Sequence, residues 1–150
     1  MTALFRALSR CFLAGALVAA CAGSGATTAP GTIPGGQDTP RSENAEFTLR
    51  VGEAAAFRDP ALRLRMDAVD SDSRCPANVT CIWAGDAVVR LSLTGADGAS
   101  GAAALHTNAQ FERDTTFQQR RVTLVRLLPV KRDDRQITQS DYEGVFIVSR

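Results

Sequence analysis

Apolar and polar residues alternate in several short segments of the chain after residue 45. In the first segment, Phe47, Leu49 and Val51 are the apolar positions. Four later segments have the same period: 62–68, 87–93, 122–127 and 145–147. Successive side chains of a β-strand point to opposite faces of the sheet, so a period of two predicts strands that each bury one face. Turn-forming residues separate the segments, and we interpret 95–101 as a hairpin turn.

Helical periodicity does not extend over a dozen residues anywhere in this part of the sequence. The best candidate, 53–57, is bounded by Gly52 and Pro60, and we expect one helical turn there at most. About six to seven short strands within residues 45–150 predict an all-β domain, either an antiparallel β-sandwich or a partly open barrel. The pattern does not distinguish between these two.

The first 20 residues have the layout of a signal peptide. Arg6 and Arg10 precede an apolar run at 11–20, and the first acidic residue of the chain is Asp38. The apolar run is about half as long as the roughly 20 residues that span a bilayer. We therefore expect a cleaved leader and no permanent transmembrane helix.

The apolar run ends in Val18-Ala19-Ala20-Cys21, which resembles the lipobox of bacterial lipoproteins. The resemblance implies cleavage before Cys21, a diacylglycerol on its thiol and further acylation such as palmitate, so that several acyl chains hold the protein on a membrane. In enterobacterial-type lipoproteins Asp after the cysteine marks inner-membrane retention. Since Ala22 stands there, the resemblance implies the outer membrane, facing the periplasm, in a Gram-negative cell. An ordinary secretory leader is the alternative, and it would leave Cys21 as a free thiol.

Residues 22–44 are predicted to be a flexible linker, because Gly, Pro, Ser and Thr dominate them and large apolar side chains are scarce. A chain of this length reaches on the order of 25 Å. The predicted organisation is a leader at 1–20, the lipidated Cys21 with its linker at 21–44, and one β-domain at 45–150.

Composition and charge are ordinary. With 45% hydrophobic and 22% charged residues, the chain can form one globular domain. Its net charge is +1, and loss of Arg6 and Arg10 with the leader lowers that charge to −1. A balance so close to zero gives no general attraction for nucleic acids.

The segment 72–85 holds both cysteines of the domain, the single tryptophan and many turn-forming residues. Export would expose Cys75 and Cys81 to an oxidising space, so we expect them to form a disulfide. The pattern DSRCP, five residues, then CxWxG resembles a segment of small, mostly uncharacterised secreted and lipid-anchored bacterial proteins. The resemblance is close over this segment and loose in the flanking strands. It implies the disulfide and the β fold, and it carries no activity with it.

Trp83, Arg74 and Asp72 are the candidate binding residues of this segment. For Trp83 we favour packing against the disulfide in the core, with an exposed binding contact as the alternative. For Asp72 and Arg74 we favour an ion pair that fixes the loop over contact with a ligand. Asp67, Asp70 and Asp72 lack the spacing of a calcium-binding loop, and we expect no metal and no other cofactor.

Basic residues are frequent between residues 120 and 135. We favour a solvated strand face for them, and the alternative is contact with anionic envelope components such as phospholipid, lipopolysaccharide or teichoic acid. The residues are Arg120, Arg121, Arg126, Lys131, Arg132 and Arg135.

Enzymatic activity is not predicted. His106 is the only histidine, and no G-x-S-x-G motif supplies a nucleophile. Cys75 and Cys81 have five residues between them, where a thiol oxidoreductase has two. We therefore expect a non-enzymatic envelope lipoprotein that binds a protein or cell-wall partner or supports one structurally. The alternatives are an inhibitor or small-ligand binder that presents the 75–81 loop and, less favoured, an envelope enzyme.

Overall fold

The computed structural model describes residues 40–58 and 60–150. The predicted leader, Cys21 and the linker up to residue 39 lie outside the described residues. The described part is an antiparallel β-sandwich of eight strands in two four-stranded sheets, which confirms the predicted fold class. The two sheets do not close into a barrel, so the sandwich is the correct one of the two predicted architectures.

Each sheet has two longer central strands with one end strand on either side. The first sheet contains, in spatial order, β1 (Phe47–Arg50), β8 (Glu143–Ser149), β7 (Arg120–Leu128) and β6 (Asp114–Phe117). The second contains β2 (Ala54–Phe57), β3 (Leu62–Asp72), β4 (Ala87–Gly95) and β5 (Ser100–His106). One turn of 3-10 helix at Gln139–Asp141 precedes β8.

The alternation that predicts the strands also builds the core. In β4 every second residue from Ala87 to Leu93 is buried, and the residues between them are half-buried or exposed. Three aromatic side chains fill the space between the sheets: the ring centroid of Phe47 is 5.3 Å from that of Phe57 and 6.0 Å from that of Phe146. Burial of these apolar faces is the main force that holds the sheets together.

The best helical candidate, 53–57, contains no helical turn, which agrees with the limit of one turn at most, because residues 54–57 form β2. It pairs with β3 in a register that runs from Ala54 opposite Arg65 to Phe57 opposite Leu62. Pairing with β3 and the burial of Phe57 outweigh the helical preference of the alanines. β5 and β6 are further strands that the alternation did not predict, and the total is eight strands where six to seven were expected. β5 begins at Ser100, inside the predicted hairpin turn at 95–101, so the turn is shorter than predicted.

The connections between strands differ in length at the two ends of the sandwich. One end carries the three long connections, at 73–86, 107–113 and 129–142, and we call it the loop end. The short connections that follow β2, β4 and β6 lie at the opposite end. The first described residues reach the sandwich there too: a carboxylate oxygen of Glu43 is 2.9 Å from Nη2 of Arg120.

Candidate functional site

The loop end carries every large hydrophobic side chain that is exposed among the described residues. Ile82 and Trp83, on the first long loop, are 92% and 81% exposed. The other three are Val79 on the same loop, Phe111 on the second and Val130 on the third, with exposures between 42% and 61%. Exposed apolar side chains that are gathered in one region mark interaction sites. The loop end is therefore the candidate site.

The predicted disulfide between Cys75 and Cys81 is confirmed, with Cα atoms 6.0 Å apart. Backbone bonds also hold this loop: Cys75 N donates to Ala84 O at 2.9 Å, and Val79 N donates to Pro76 O at 3.2 Å. These links limit the conformations that the loop can adopt, so the loop presents its apolar side chains at low entropic cost.

The favoured prediction for Trp83, burial against the disulfide, is wrong. Its side chain is exposed, and Phe47, Phe57 and Phe146 fill the aromatic core in its place. The reason is the position of Trp83 in the chain, because it precedes β4 and the alternation that directs side chains inward begins only at Ala87. An exposed position is what the alternative role of Trp83, a binding contact, requires.

Asp72 joins the first long loop to the third. Its carboxylate accepts hydrogen bonds from the backbone N, Nε and Nη2 of Arg74 at 2.7–3.1 Å and from Oη of Tyr142 at 3.1 Å. The same guanidinium donates from Nη1 to Leu127 O at 2.7 Å and from Nη2 to Pro129 O at 3.1 Å. The ion pair expected between Asp72 and Arg74 is thus present, and it fixes the loop after β3 against the loop after β7.

The protonation states of Asp72 and Tyr142 suit these contacts. Burial by itself raises the pKa of Asp72, but the hydrogen bonds and the positive charge of Arg74 outweigh that effect and lower the pKa below its ordinary value of 3.8. Burial and the neighbouring carboxylate raise the pKa of Tyr142 to about 12. At neutral pH Asp72 is therefore ionised and Tyr142 protonated, which is the state in which the bond between them forms.

Asp86 joins the first long loop to the second. Its carboxylate lies 2.5 Å from Nδ1 of His106, and it accepts bonds from Thr107 N and Asn108 N at 3.0 and 2.9 Å. Burial by itself raises the pKa of Asp86, but these hydrogen bonds lower it below 3.8. The His106 ring packs against Phe111, with centroids 5.1 Å apart. His106 therefore has a structural place in the loop end, between Asp86 and an exposed apolar side chain.

Further bonds close the loop end. Ala77 N donates to Lys131 O at 2.9 Å, and Asp133 N donates to Asn78 Oδ1 at 3.1 Å. Gly85 has a φ of 68°, and a Cβ atom there would lie 1.9 Å from the carbonyl oxygen of Ser73. Only glycine therefore lets the two ends of the first long loop approach each other so closely.

The basic residues between 120 and 135 do not form an unbalanced positive face. Arg120 departs from the predicted solvated face, since its side chain is buried beside Glu43. The other five each lie within 4.0 Å of a carboxylate: Arg121 of Asp114, Arg126 of Glu46, Lys131 of Asp72, Arg132 of Asp134 and Arg135 of Asp141. Such pairing weakens the attraction of this region for anionic surfaces.

Three aspartates of β3 pair with arginines. Asp67, Asp70 and Asp72 lie beside Arg65, Arg90 and Arg74, respectively. Within residues 40–58 and 60–150, no group of three or more His, Cys, Asp or Glu side chains is arranged to hold a metal ion. The same part of the chain contains no helix that is both long and apolar enough to cross a membrane.

Comparison of the chain with models of protein families, with curated protein sequences and with solved structures yields no match. The candidate site therefore rests on geometry. The sequence singled out 72–85 but missed Phe111 and Val130, which lie on the other two long loops. Each of them can be recognised in the sequence as a large apolar residue that belongs to no alternating segment. The same is true of Ile82.

Proposed function

We propose that the protein is a lipid-anchored binding module of the cell envelope, without enzymatic activity, whose loop end holds a partner protein. The observation that carries the proposal is that all five exposed large hydrophobic side chains of the described residues lie on the three long loops. Lipid attachment at Cys21 and an outer-membrane location are part of the proposal, and the lipobox resemblance supports them.

Ile82 and Trp83 are expected to supply most of the binding free energy. Burial of apolar surface contributes roughly 25 cal/mol per Å², and a tryptophan side chain buries about 150–250 Å². Truncation of an aromatic residue at the centre of an interface typically costs about 2 kcal/mol or more. A partner protein with an apolar recess fits two such neighbouring side chains.

The charges at the loop end also favour an apolar contact. Asp72 and Arg74 satisfy each other, as do Arg132 with Asp134 and Arg135 with Asp141. Paired charges of this kind attract an oppositely charged polymer only weakly. A folded protein surface with an apolar recess is therefore a better partner for this end than an anionic glycolipid or a nucleic acid.

The loop end faces away from the side where the chain reaches the sandwich. Asn44 N donates to Val148 O at 2.8 Å, near the end of β8 that lies opposite the long loops. The nine residues of β7 run between the two ends and span about 30 Å at roughly 3.3 Å per residue. A lipid tether on the preceding linker would thus leave the loop end free to meet a partner in the envelope space.

An inhibitor is the second candidate function, and the exposure of Ile82 favours it. Ile82 directly follows the disulfide-closed loop and is 92% exposed. A rigid loop with one protruding apolar side chain can fill a cleft of a target enzyme without a large loss of entropy. In this case the partner would be an enzyme whose activity falls on binding.

Site-specific cross-linking in living cells tests the proposal. A photoreactive amino acid in place of Ile82 is expected to give an adduct with one protein, and the same amino acid in place of Thr94, on the outer face of β4, is the control. The adduct is expected to disappear when Trp83→Ala is added. Equal adducts from both positions would contradict the proposal.

Binding of the purified partner gives the quantitative test. We expect the Trp83→Ala variant to bind about tenfold more weakly or worse, because truncation removes an aromatic contact. Its melting temperature should stay unchanged, because the side chain is exposed in the free protein. If the partner is an enzyme and loses activity on binding, the protein is an inhibitor. Equal affinity of the wild-type protein and the Trp83→Ala variant for the partner would refute the assigned site.

A further inference from the structure

β5 is an end strand of its sheet and differs from the other three end strands. β1, β2 and β6 have four residues each, whereas β5 has seven. Its sequence, SGAAALH, contains no Asp, Glu, Lys, Arg or Pro. Natural proteins protect end strands from pairing with other chains by short length, charge, proline or a bulge. β5 shows none of these features, which makes it a candidate pairing edge.

Two backbone hydrogen bonds show which residues of β5 direct their backbone N–H and C=O groups towards β4 and which direct them towards the open edge. Gly95 N donates to Ala99 O at 2.8 Å, and Thr107 N donates to Ala87 O at 3.0 Å. Hydrogen-bonded and non-bonded pairs alternate along an antiparallel ladder, so Gly101, Ala103 and Leu105 bond to β4. The backbone N–H and C=O groups of the residues between them point away from the sheet. These residues include Ala102 and Ala104.

The open stretch of this edge is centred on Ala103. At one end of β5, His106 N already donates to Glu112 O at 2.8 Å. Ala102 and Ala104 are exposed, and within the described part of the chain their outward backbone groups have no backbone hydrogen bond. The edge of β2, by comparison, is occupied where Arg41 N donates to Ala56 O at 3.0 Å.

We propose that β5 pairs antiparallel with β5 of a second copy of this chain, about a two-fold axis through Ala103. Ala102 then lies opposite Ala104 of the second copy and Ala104 opposite Ala102, so the outward groups form four backbone hydrogen bonds. An antiparallel pair of identical strands is self-complementary, as a two-fold interface must be. Alanine opposite alanine brings no like charges and no bulky side chains together.

The side chains favour a second copy over a foreign peptide. Strand addition by a peptide gains its specificity from pockets that accept alternate side chains. The outward-facing side chains around the axis are alanine methyl groups, which form no such pocket. Identity of sequence supplies the register instead. The pairing is independent of the proposed function, because β5 runs along the side of the sandwich and the apolar side chains of the candidate site lie on the three long loops.

Cysteine cross-linking tests the axis directly. Residues that face each other as a non-hydrogen-bonded pair have Cα atoms about 4.5 Å apart, so an Ala103→Cys variant of the purified full chain should form a disulfide-linked dimer on mild oxidation. Thr94→Cys, on the neighbouring strand, is the matched control and should remain monomeric on a non-reducing gel. Equal amounts of dimer from both variants, or none from Ala103→Cys, would overturn the proposal.

A second pair of variants tests the backbone bonds. Ala104→Pro removes an outward N–H but no bond to β4, since proline is tolerated where a strand N–H faces solvent. We expect the detergent-solubilised wild-type protein to show a concentration-dependent dimer by light scattering, Ala104→Val to retain it and Ala104→Pro to lose it. Melting temperatures report whether each variant folds. A dimer that persists in a folded Ala104→Pro variant would contradict the pairing, as would a wild-type protein that is monomeric at every concentration.

Discussion

Asp72 sets the geometry of two loops through a single carboxylate. Its side chain is 7% exposed, and its oxygens accept four hydrogen bonds, three of them from Arg74 and one from Tyr142. A carboxylate in so little water is costly unless its oxygens are satisfied. Arg74 meets this requirement and also bonds to two backbone carbonyl groups, that of Leu127 near the end of β7 and that of Pro129 at the start of the third long loop.

Removal of the charge at Asp72 should therefore destabilise the fold. We expect Asp72→Asn to lower the free energy of unfolding by about 1–3 kcal/mol, because it leaves buried donors of Arg74 poorly paired. Urea denaturation measures this change. Asp70→Asn is the control, since the Asp70–Arg90 pair is largely exposed and its loss should cost about 0.5 kcal/mol. Equal losses in both variants would show that Asp72 has no special structural role.

The two carboxylates that join the loops should also make stability depend on pH. The pKa values of Asp72 and Asp86 are both lowered below 3.8 in the folded protein. Their contribution to stability is complete at pH values above 3.8 and is lost as the pH falls through the lowered folded pKa, because the unfolded state then binds more protons. Urea midpoints between pH 6 and pH 2 measure the loss. In Asp86→Asn the decline should be shallower, and an equally steep decline would exclude Asp86 as a source.

Among the elements, the alternation of apolar residues is a reliable guide where a strand buries one face for its full length. It predicts β3 and β4, because these two strands pair along their length and each keeps one face against the core. It fails at β6, which has four residues, of which none is buried. The turn before β7 carries no signal either, because Gln118 and Gln119 adopt φ values of 46° and 63° without the glycine or asparagine that usually marks such a turn.

The first long loop owes part of its order to the disulfide. We expect the free energy of unfolding of the double variant Cys75→Ser, Cys81→Ser to be about 2 kcal/mol lower than that of the wild type. This is the chain-entropy value for so short a closed loop. Thermal and urea unfolding measure this loss. Partner binding should weaken by more than stability alone explains, because Val79 and Ile82 then lose their fixed positions. Unchanged binding by a folded double variant would mean that the closed loop does not pre-organise the site.

At the scale of the molecule, the two ends of the sandwich have different properties. The sequence identifies the segment with Trp83 as special, but only the topology brings Phe111 and Val130 to the same end, because β3, β5 and β7 all finish there. Pattern reasoning along one strand cannot supply such a juxtaposition, since it depends on long-range pairing. The chain reaches the sandwich at the other end, where Glu43 contacts the buried Arg120.

An anchor on the N-terminal side would leave the loop end free for binding, and the proposed attachment at Cys21 can be tested separately from the binding site. We expect the wild-type protein to incorporate a labelled fatty acid and to fractionate with membranes. Cys21→Ser should lose both properties, because the thiol is the atom that carries the diacylglycerol. Cys11→Ser is the matched control, since its thiol lies in the predicted leader and is removed with it. Labelling and membrane fractionation that persist in Cys21→Ser would refute the lipid anchor, while the binding site at the loop end would still stand on its own measurements.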